Sequence, residues 1–262
     1  MKNATAARLG RQLMRIRPAP FAAALKWLLR VRRIELVTPE GRFWIDPASY
    51  QGQTLLRDGV YEPALLATVK QWLAPGGTFV DLGANEGYFS VVAAARVGSS
   101  GRVLAIEPQR RLDAVLRRNF ALNGCAQVTL APVAVSDHPG TAELQLTPSM
   151  NNSASGLRAP TRYPLLRQPV ALATLSQVFA QAGLERCDLL KMDIEGWEYE
   201  AVLGSRELFA ARRIRALALE LHPQLLAPRG LDAAAITTFL AECGYREVPG
   251  RGHLLLALDR ET

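Results

Sequence analysis

Cysteine is scarce in this chain of 262 residues, and its three cysteines lie far apart. Cys125, Cys187 and Cys243 form no CxxC pair and have no histidine close by in the sequence. This pattern excludes the usual spacings of zinc sites and dithiol redox sites. We therefore expect buried, reduced thiols that serve only the packing of the core.

Long apolar runs are missing as well. No stretch of 18 apolar residues occurs, so we expect no membrane-spanning helix. Residues 21–31 (FAAALKWLLRV) are apolar, but Lys26 interrupts them and no small-residue cleavage site follows, which argues against a signal peptide. Two interpretations stay open: a basic amphipathic helix on an anionic membrane surface, or a helix that caps the folded body. We favour the second, because capping helices are common.

Acidic residues are absent from the first 34 positions, which hold nine basic residues. The remaining chain has 22 basic and 24 acidic residues, so the net charge of +7 belongs to an N-terminal arm. An enzyme acting on nucleic acid more often carries basic charge around its cleft, so we expect no nucleic-acid partner. We divide the chain into a basic arm with short strands (1–54) and a main domain (55–262). We expect a cytoplasmic protein, peripheral to an anionic membrane if residues 1–33 bind one.

Strand and helix patterns alternate through the main domain, at spacings that require right-handed crossovers. This predicts an α/β, Rossmann-like fold with a mainly parallel sheet and flanking helices. A polar loop (147–165) interrupts the alternation, and it is either a binding loop or a surface insertion. The predicted strands are 34–46 (two short ones), 78–82, 103–107, 128–135, 141–146, 188–193, 216–221 and 253–258. The predicted helices are 61–73, 86–97, 109–122, 175–182, 195–203 and 231–243.

Ligands of such sheets bind beyond the carboxyl ends of the strands. The strand predicted at 78–82 ends in the segment DLGANEG (81–87). A dinucleotide-binding protein would have GxGxxG at this place. Asn85 replaces the second glycine, and Asp81 would repel a pyrophosphate but attract a cation. S-adenosylmethionine (SAM) carries an ammonium, a sulfonium and no phosphate. At the end of the next strand, Glu107 can accept hydrogen bonds from both ribose hydroxyls of an adenosine.

Acidic residues and a histidine follow the later strands. Asp193 closes the strand at 188–193, Glu195 follows it, and His222 comes after the strand at 216–221. Methyl transfer to a hydroxyl needs a base, or a metal that acidifies the hydroxyl. Asp193 is the best-placed base, with His222 as the alternative, and Glu195 could instead only complement a helix dipole. We favour a metal-free site, and we expect Glu198 and Glu200 to be solvated.

Several motifs together resemble the FkbM family of SAM-dependent methyltransferases. The matching segments are GVYEP (59–63), FVDLGANEGYFS (79–90), IEP (106–108), VAVSD (133–137), LLKMDIEGWE (189–198) and ELH (220–222). The resemblance implies a class I methyltransferase fold and O-methylation of a sugar, natural product or lipid-like acceptor.

The resemblance also implies roles for residues. It implies SAM contacts at Asp81, Gly83, Asn85, Gly87 and Glu107, and an adenine contact near Ala134. It places Asp193, Glu195 and His222 at the reaction site. Two alternatives remain: a nucleotide-cofactor oxidoreductase, and a membrane-surface or partner-binding module with a degenerate core.

Overall fold

The computed structural model describes residues 2–16, 19–147, 166–249 and 253–258. A seven-stranded sheet forms its centre, in the order β11-β12-β10-β9-β3-β4-β5. Strand β12 pairs antiparallel with both of its neighbours, and the other pairs are parallel. The strands of this sheet are β3 Thr78–Leu82, β4 Arg102–Ile106, β5 Val128–Ala131, β9 Leu189–Met192, β10 Ala216–Leu219, β11 Tyr245–Glu247 and β12 Leu254–Leu258.

Helices cover both faces of the sheet. Strands β9 and β10 are buried at every position, as expected for parallel strands covered on both sides. Two apolar clusters form the core, one on each side of the sheet. The helices of the main domain are α4 Pro63–Trp72, α5 Tyr88–Val97, α6 Arg110–Leu122, α7 Leu175–Gln181, α8 Glu198–Leu203, α9 Arg206–Ala210, α10 Pro223–Leu226 and α11 Ala233–Glu242.

The predicted α/β fold is therefore confirmed. The chain runs outward from β3 through β4 to β5, then returns to the other side of β3 for β9 and β10. The centre of the sheet is thus the point where strand order reverses, and ligands of open α/β sheets bind beside such a point. The carboxyl ends of β3, β4 and β9 meet there.

A second, three-stranded sheet lies between β5 and β9 in the chain. It comprises β6 Ala134–Val135, β7 Gly140–Leu146 and β8 Leu166–Ala173, with β8 in the middle. The single strand predicted at 128–135 is two strands in the structure, and β8 was not predicted at all. The predicted loop at 147–165 lies outside the described residues, except for Thr147.

The N-terminal segment contains α1 Lys2–Met14, α2 Ala19–Leu28, the hairpin β1 Ile34–Thr38 and β2 Gly41–Ile45, and α3 Tyr50–Asp58. Helix α3 crosses the boundary that we predicted between residues 54 and 55. Two ion pairs with nearly buried acids fix this segment: Lys26 pairs with Asp46 inside it, and Arg33 pairs with Glu86 of the main domain at 2.7 Å. Among the described residues, each helix is too short or too polar to cross a membrane.

Candidate active site

The turn between β3 and α5 brings three strand ends together. The backbone N–H groups of Gly83 and Ala84 both donate to the carbonyl of Ile106, at 3.0 Å, which ties β3 to β4. Gly83 has φ +84°, and a Cβ there would lie 1.9 Å from the carbonyl oxygen of Asp193 after β9. Only glycine meets both the conformation and the close approach.

Glu107 follows β4 and is almost fully buried. Its Oε2 accepts the N–H of Asn85 at 2.8 Å, and its Oε1 accepts the N–H of Gln109 at 3.0 Å. Burial raises the pKa of Glu107, and these two backbone donors lower it in part. Each carboxylate oxygen can accept a second hydrogen bond, so the group can still receive two ligand hydroxyls.

A cavity opens directly above these strand ends, and we call it the cofactor cavity. Glu107 contributes a carboxylate to its lining, and most of the lining residues are apolar, as an adenosine requires. Four of the six predicted cofactor residues line it: Gly83, Asn85, Glu107 and Ala134. The other lining residues are Leu82, Ile106, Pro108, Gln109, Val133, Val135, Leu144, Asp193, Ile194, Glu195 and Trp197.

Asp81 and Gly87 lie outside the lining of this cavity. Asp81 is 1% exposed; its Oδ2 accepts the Ser90 hydroxyl at 2.7 Å and its Oδ1 lies 3.5 Å from Lys191 Nζ. Its charge is therefore opposed by a buried lysine, and Lys191 also donates to the Gly83 carbonyl at 2.7 Å. Asp81 thus stabilises the turn between β3 and α5 through Lys191. Direct contact between Asp81 and SAM stays a prediction. At Gly87, φ is +82° and a Cβ would meet Leu116 at 2.9 Å, so this glycine permits helix packing.

The three predicted catalytic residues do meet. His222 Nε2 lies 3.9 Å from Asp193 Oδ1 and 3.8 Å from Glu195 Oε2. One ligand atom from each of these residues lies within 4.8 Å of the others, so the set could also hold a metal ion. Our expectation of a metal-free site therefore stays a prediction.

Two further carboxylates surround His222. Its Nδ1 lies 2.9 Å from Glu198 Oε1, and its Nε2 lies 3.9 Å from Glu220 Oε1. The expectation that Glu198 is solvated was wrong, because α8 turns its side chain inward, where it is 0% exposed. Glu200 is also largely buried and pairs with Arg229. Strand β10 ends at Leu219 rather than at the predicted residue 221, so Glu220 and His222 both follow the strand.

These charges set the protonation states of the site. Burial lowers the pKa of His222, but the hydrogen bond and charge of Glu198, with the other carboxylates, outweigh it and raise the pKa to about 9. Burial and then the charge of Asp193 raise the pKa of Glu195 to about 7. At neutral pH His222 is therefore a cation and a poor base, whereas Glu195 exchanges its proton in the range that general bases use.

Backbone strain is concentrated at this site. Glu195 has φ +53° and Asn85 has φ +50°, although neither is glycine. Non-glycine residues in this region cost about 1–3 kcal/mol each and cluster where function requires them. Helix α8 begins only at Glu198 rather than at the predicted residue 195, and so Glu195 lies outside the helix that its charge would complement.

A second, larger opening adjoins the cofactor cavity, and we call it the acceptor cleft. Its volume is about 500 Å³, and Asp193 and Glu195 line it as well as the cofactor cavity. The two spaces therefore meet at these two carboxylates. The other lining residues are Tyr50, Tyr61, Glu62, Pro63, Ala64, Leu65, Lys191, Met192, Ala218, Glu220 and His253.

Sequence reasoning did not find the side of the cleft that lies upstream of β3. Tyr61 and Glu62 precede α4, and Glu62 is a third strained residue, at φ +42°. The only sequence signal for them is their position in the GVYEP segment, since no strand ends there.

Comparison with known proteins agrees with this geometry. The family model described as "Methyltransferase FkbM domain" matches residues 81–247, which contain the turn after β3, Glu107 and the His222 cluster. Fold and site together define a domain of the SAM-dependent methyltransferase class. The chain belongs to the FkbM methyltransferase family.

Two curated relatives are similar over parts of their length. The AMB antimetabolite synthetase AmbE of Pseudomonas aeruginosa is 28% identical, over 72% of this chain and 10% of that protein. Methyltransferase sdnD of Sordaria araneosa is 31% identical, over 49% of this chain and 60% of that protein. The chain thus spans a small part of the first and somewhat over half of the second. A solved SAM-dependent methyltransferase from Aquifex aeolicus is 11% identical, with 80% of this chain and 95% of that one covered and a TM-score of 0.43.

Proposed function

We propose that this protein transfers the methyl group of SAM to a hydroxyl of a polyhydroxylated acceptor, such as a sugar. The observation that carries the proposal is the shared wall: Asp193 and Glu195 line both the cofactor cavity and the acceptor cleft. A methyl group on one side and a hydroxyl on the other would meet beside these carboxylates. Alignment of the two reactants then supplies much of the rate.

Glu195 is the base in this proposal. As the acceptor oxygen forms its bond to the methyl carbon, the hydroxyl proton passes to the Glu195 carboxylate. The carbon–sulfur bond breaks, its electron pair stays on sulfur, and S-adenosylhomocysteine leaves as a neutral thioether. The cationic His222, fixed by Glu198, holds Glu195 and Asp193 in place. We expected Asp193 to be the base, but the pKa of about 7 favours Glu195.

The lining of the acceptor cleft supports a hydroxyl-rich acceptor. Glu62 and Glu220 contribute carboxylates, which accept hydrogen bonds from hydroxyls. Tyr50 and Tyr61 lie 6.4 Å apart, in an edge-on arrangement, and offer apolar ring faces with polar tips. A sugar presents the matching chemistry: hydroxyls around its edge and C–H groups on its faces.

The direct test is a panel of methyl glycosides incubated with SAM, with aromatic alcohols, amines and thiols as competing classes. We expect release of S-adenosylhomocysteine with glycosides, and mass spectrometry should locate the new methyl group on oxygen. Tyr61→Ala should raise KM for the glycoside and leave SAM affinity unchanged, whereas Tyr199→Ala, outside the cleft, should change neither. Methylation confined to nitrogen or sulfur acceptors would reject O-methylation.

The same assay separates the metal-free mechanism from a metal-assisted one. If Glu195 is the base, a chelator leaves turnover unchanged. If Asp193, Glu195 and His222 hold a divalent ion, the chelator abolishes turnover and added magnesium restores it. Failure to bind either SAM or S-adenosylhomocysteine would favour the non-catalytic alternative, whose core is degenerate.

A further inference from the structure

Helix α2 presents an apolar face to solvent. Its inner side packs through Ala22, which is 0% exposed, and through Leu25. On the outer side Phe21 is 59% exposed, Trp27 82% and Leu28 68%. Phe21 and Leu28 are seven residues apart and therefore lie on the same face of the helix. Leu29, which follows the helix, is 46% exposed.

Exposed arginines border the same face. Arg30 and Arg32 line one shallow hollow together with Trp27 and Leu28. Neither guanidinium group has an ion pair or a hydrogen bond within the described part of the chain. The neighbouring helix α1, which packs against α2, adds the exposed arginines Arg8 and Arg11, and the exposed Arg15 follows it directly. The first acidic residue of the sequence is Glu35, so these charges have no acid from their own segment.

We propose that this face docks on an anionic lipid bilayer. We call it the arm surface, and it comprises Phe21, Trp27, Leu28, Leu29, Arg30 and Arg32. Exposed aromatic and aliphatic side chains beside unpaired basic ones match the boundary between acyl chains and anionic headgroups. A bilayer satisfies both halves of the surface at once, because the apolar residues enter the boundary while the arginines meet phosphates.

The arm surface is held at a fixed angle to the enzyme. Lys26 on the inner side of α2 pairs with Asp46, and Arg33 after the helix pairs with Glu86. Helix α1 also packs on α3, whose first residue, Tyr50, lines the acceptor cleft. Docking of this face would therefore orient the whole enzyme on the bilayer. The inference is independent of the acceptor, because it rests on the outer face of the arm alone.

Sedimentation with vesicles tests the proposal. The full chain should bind vesicles of equal parts phosphatidylcholine and phosphatidylglycerol at low salt, bind pure phosphatidylcholine much more weakly, and release as salt rises. Trp27 is the only exposed tryptophan in the described part of the chain. Its emission should shift to the blue on binding, and Trp27→Phe should abolish that shift.

Matched variants distinguish vesicle binding through the arm surface from nonspecific binding through other exposed apolar or basic side chains. Trp27→Ala with Leu28→Ala should reduce vesicle affinity at least tenfold. Val37→Ala with Leu166→Ala, which removes apolar groups that are 73% and 78% exposed elsewhere, should leave it unchanged. Arg32→Glu should weaken binding by more than about fivefold, the effect of one basic charge near a membrane, and Arg186→Glu, an exposed arginine elsewhere, should not.

Three results would overturn the proposal: equal binding to neutral and anionic vesicles, equal losses in the matched variants, or no vesicle binding by the full chain. Light scattering without vesicles is the remaining check, since self-association lost in Trp27→Ala with Leu28→Ala would assign the surface to a second copy instead. Calorimetry with SAM should give the same affinity for every variant, which shows that each is folded.

Discussion

At the scale of single residues, Glu195 is the position where the structure most changes the role that the sequence predicts. Its sequence context also fits an acid that only complements a helix dipole. Its left-handed backbone, its position before α8 and its raised pKa favour a catalytic base instead. A base has to be deprotonated to act, so turnover should rise with pH through about 7.

Glu195→Gln should lower kcat by about 10²–10⁴-fold, the usual contribution of a general base, with little change in SAM affinity. The rise of the pH–rate profile through neutrality should disappear in the same variant. Glu220→Gln is the matched control, because Glu220 also lines the cleft but is more exposed. If Asp193→Asn removes the rise in rate and Glu195→Gln keeps it, the base is Asp193.

Glu107 supports a second prediction at this scale. Glu107→Gln should weaken SAM binding by about 1.5–3 kcal/mol, the usual range for a hydrogen bond to a charged group. Isothermal calorimetry measures this directly, and Glu143→Gln, at an exposed acid of β7, serves as the control. Unchanged affinity in Glu107→Gln would remove this carboxylate from the ribose.

At the scale of elements, the turn between β3 and α5 depends on one glycine. Gly83→Ala should destabilise the fold and abolish SAM binding, because the new Cβ would collide with the carbonyl of Asp193. Gly230→Ala is an internal control: its φ is +72°, in the left-handed region, but nothing lies within 4 Å of a Cβ there. Both variants share the cost of the left-handed backbone, about 1 kcal/mol, so the difference between them isolates the clash.

Urea unfolding of the two variants measures this difference, and calorimetry follows SAM. We expect Gly230→Ala to bind SAM normally. If the two alanine variants unfold alike and bind SAM equally, the close approach of β3 to β9 has no role in the cofactor site.

Elements with strong hydrophobic periodicity were predictable from the sequence. The elements that were missed depend on long-range contacts, which the sequence pattern does not contain. Strands β3, β4 and β9 are apolar runs that end in acids or glycine, so both their type and their site residues could be read. Strand β8 could not, because it contains Pro169 and alternates irregularly, and its pairing with β7 is a long-range contact. The partners of Glu198 and Lys191 were missed for the same reason, because the burial of a charged side chain depends on residues that are distant in the sequence.

At the scale of the whole molecule, the His222 cluster links stability to pH. The folded-state pKa of His222 is raised from about 6.5 to about 9, so its stabilising effect is complete below pH 6.5 and is lost as pH rises to 9. The difference corresponds to at most about 3 kcal/mol. The pKa of Glu195 is also raised, from 4.5 to about 7. The stability that comes from its bound proton is therefore lost at lower pH, as pH rises from 4.5 to about 7.

Urea unfolding between pH 6 and about 9.5 should therefore show falling stability in the wild-type protein. His222→Gln should be less stable at pH 6 and should lose much of this slope. His138→Gln is the control, because that histidine is 67% exposed and lies outside the cluster. A wild-type protein whose stability stays constant over this range would show that the imidazolium adds nothing to the fold.

The pair of Arg33 and Glu86 bears on how short a working version of this protein can be made. Glu86 belongs to the turn after β3, and its backbone carbonyl accepts a hydrogen bond from Asn119, whose side chain also receives the N–H of Trp44 in β2. The β1–β2 hairpin and Arg33 therefore support the turn between β3 and α5, although we predicted them to belong to a separate N-terminal arm. A fragment that begins at residue 55 would lose both supports, so a shortened enzyme for crystallisation has to begin ahead of Arg33.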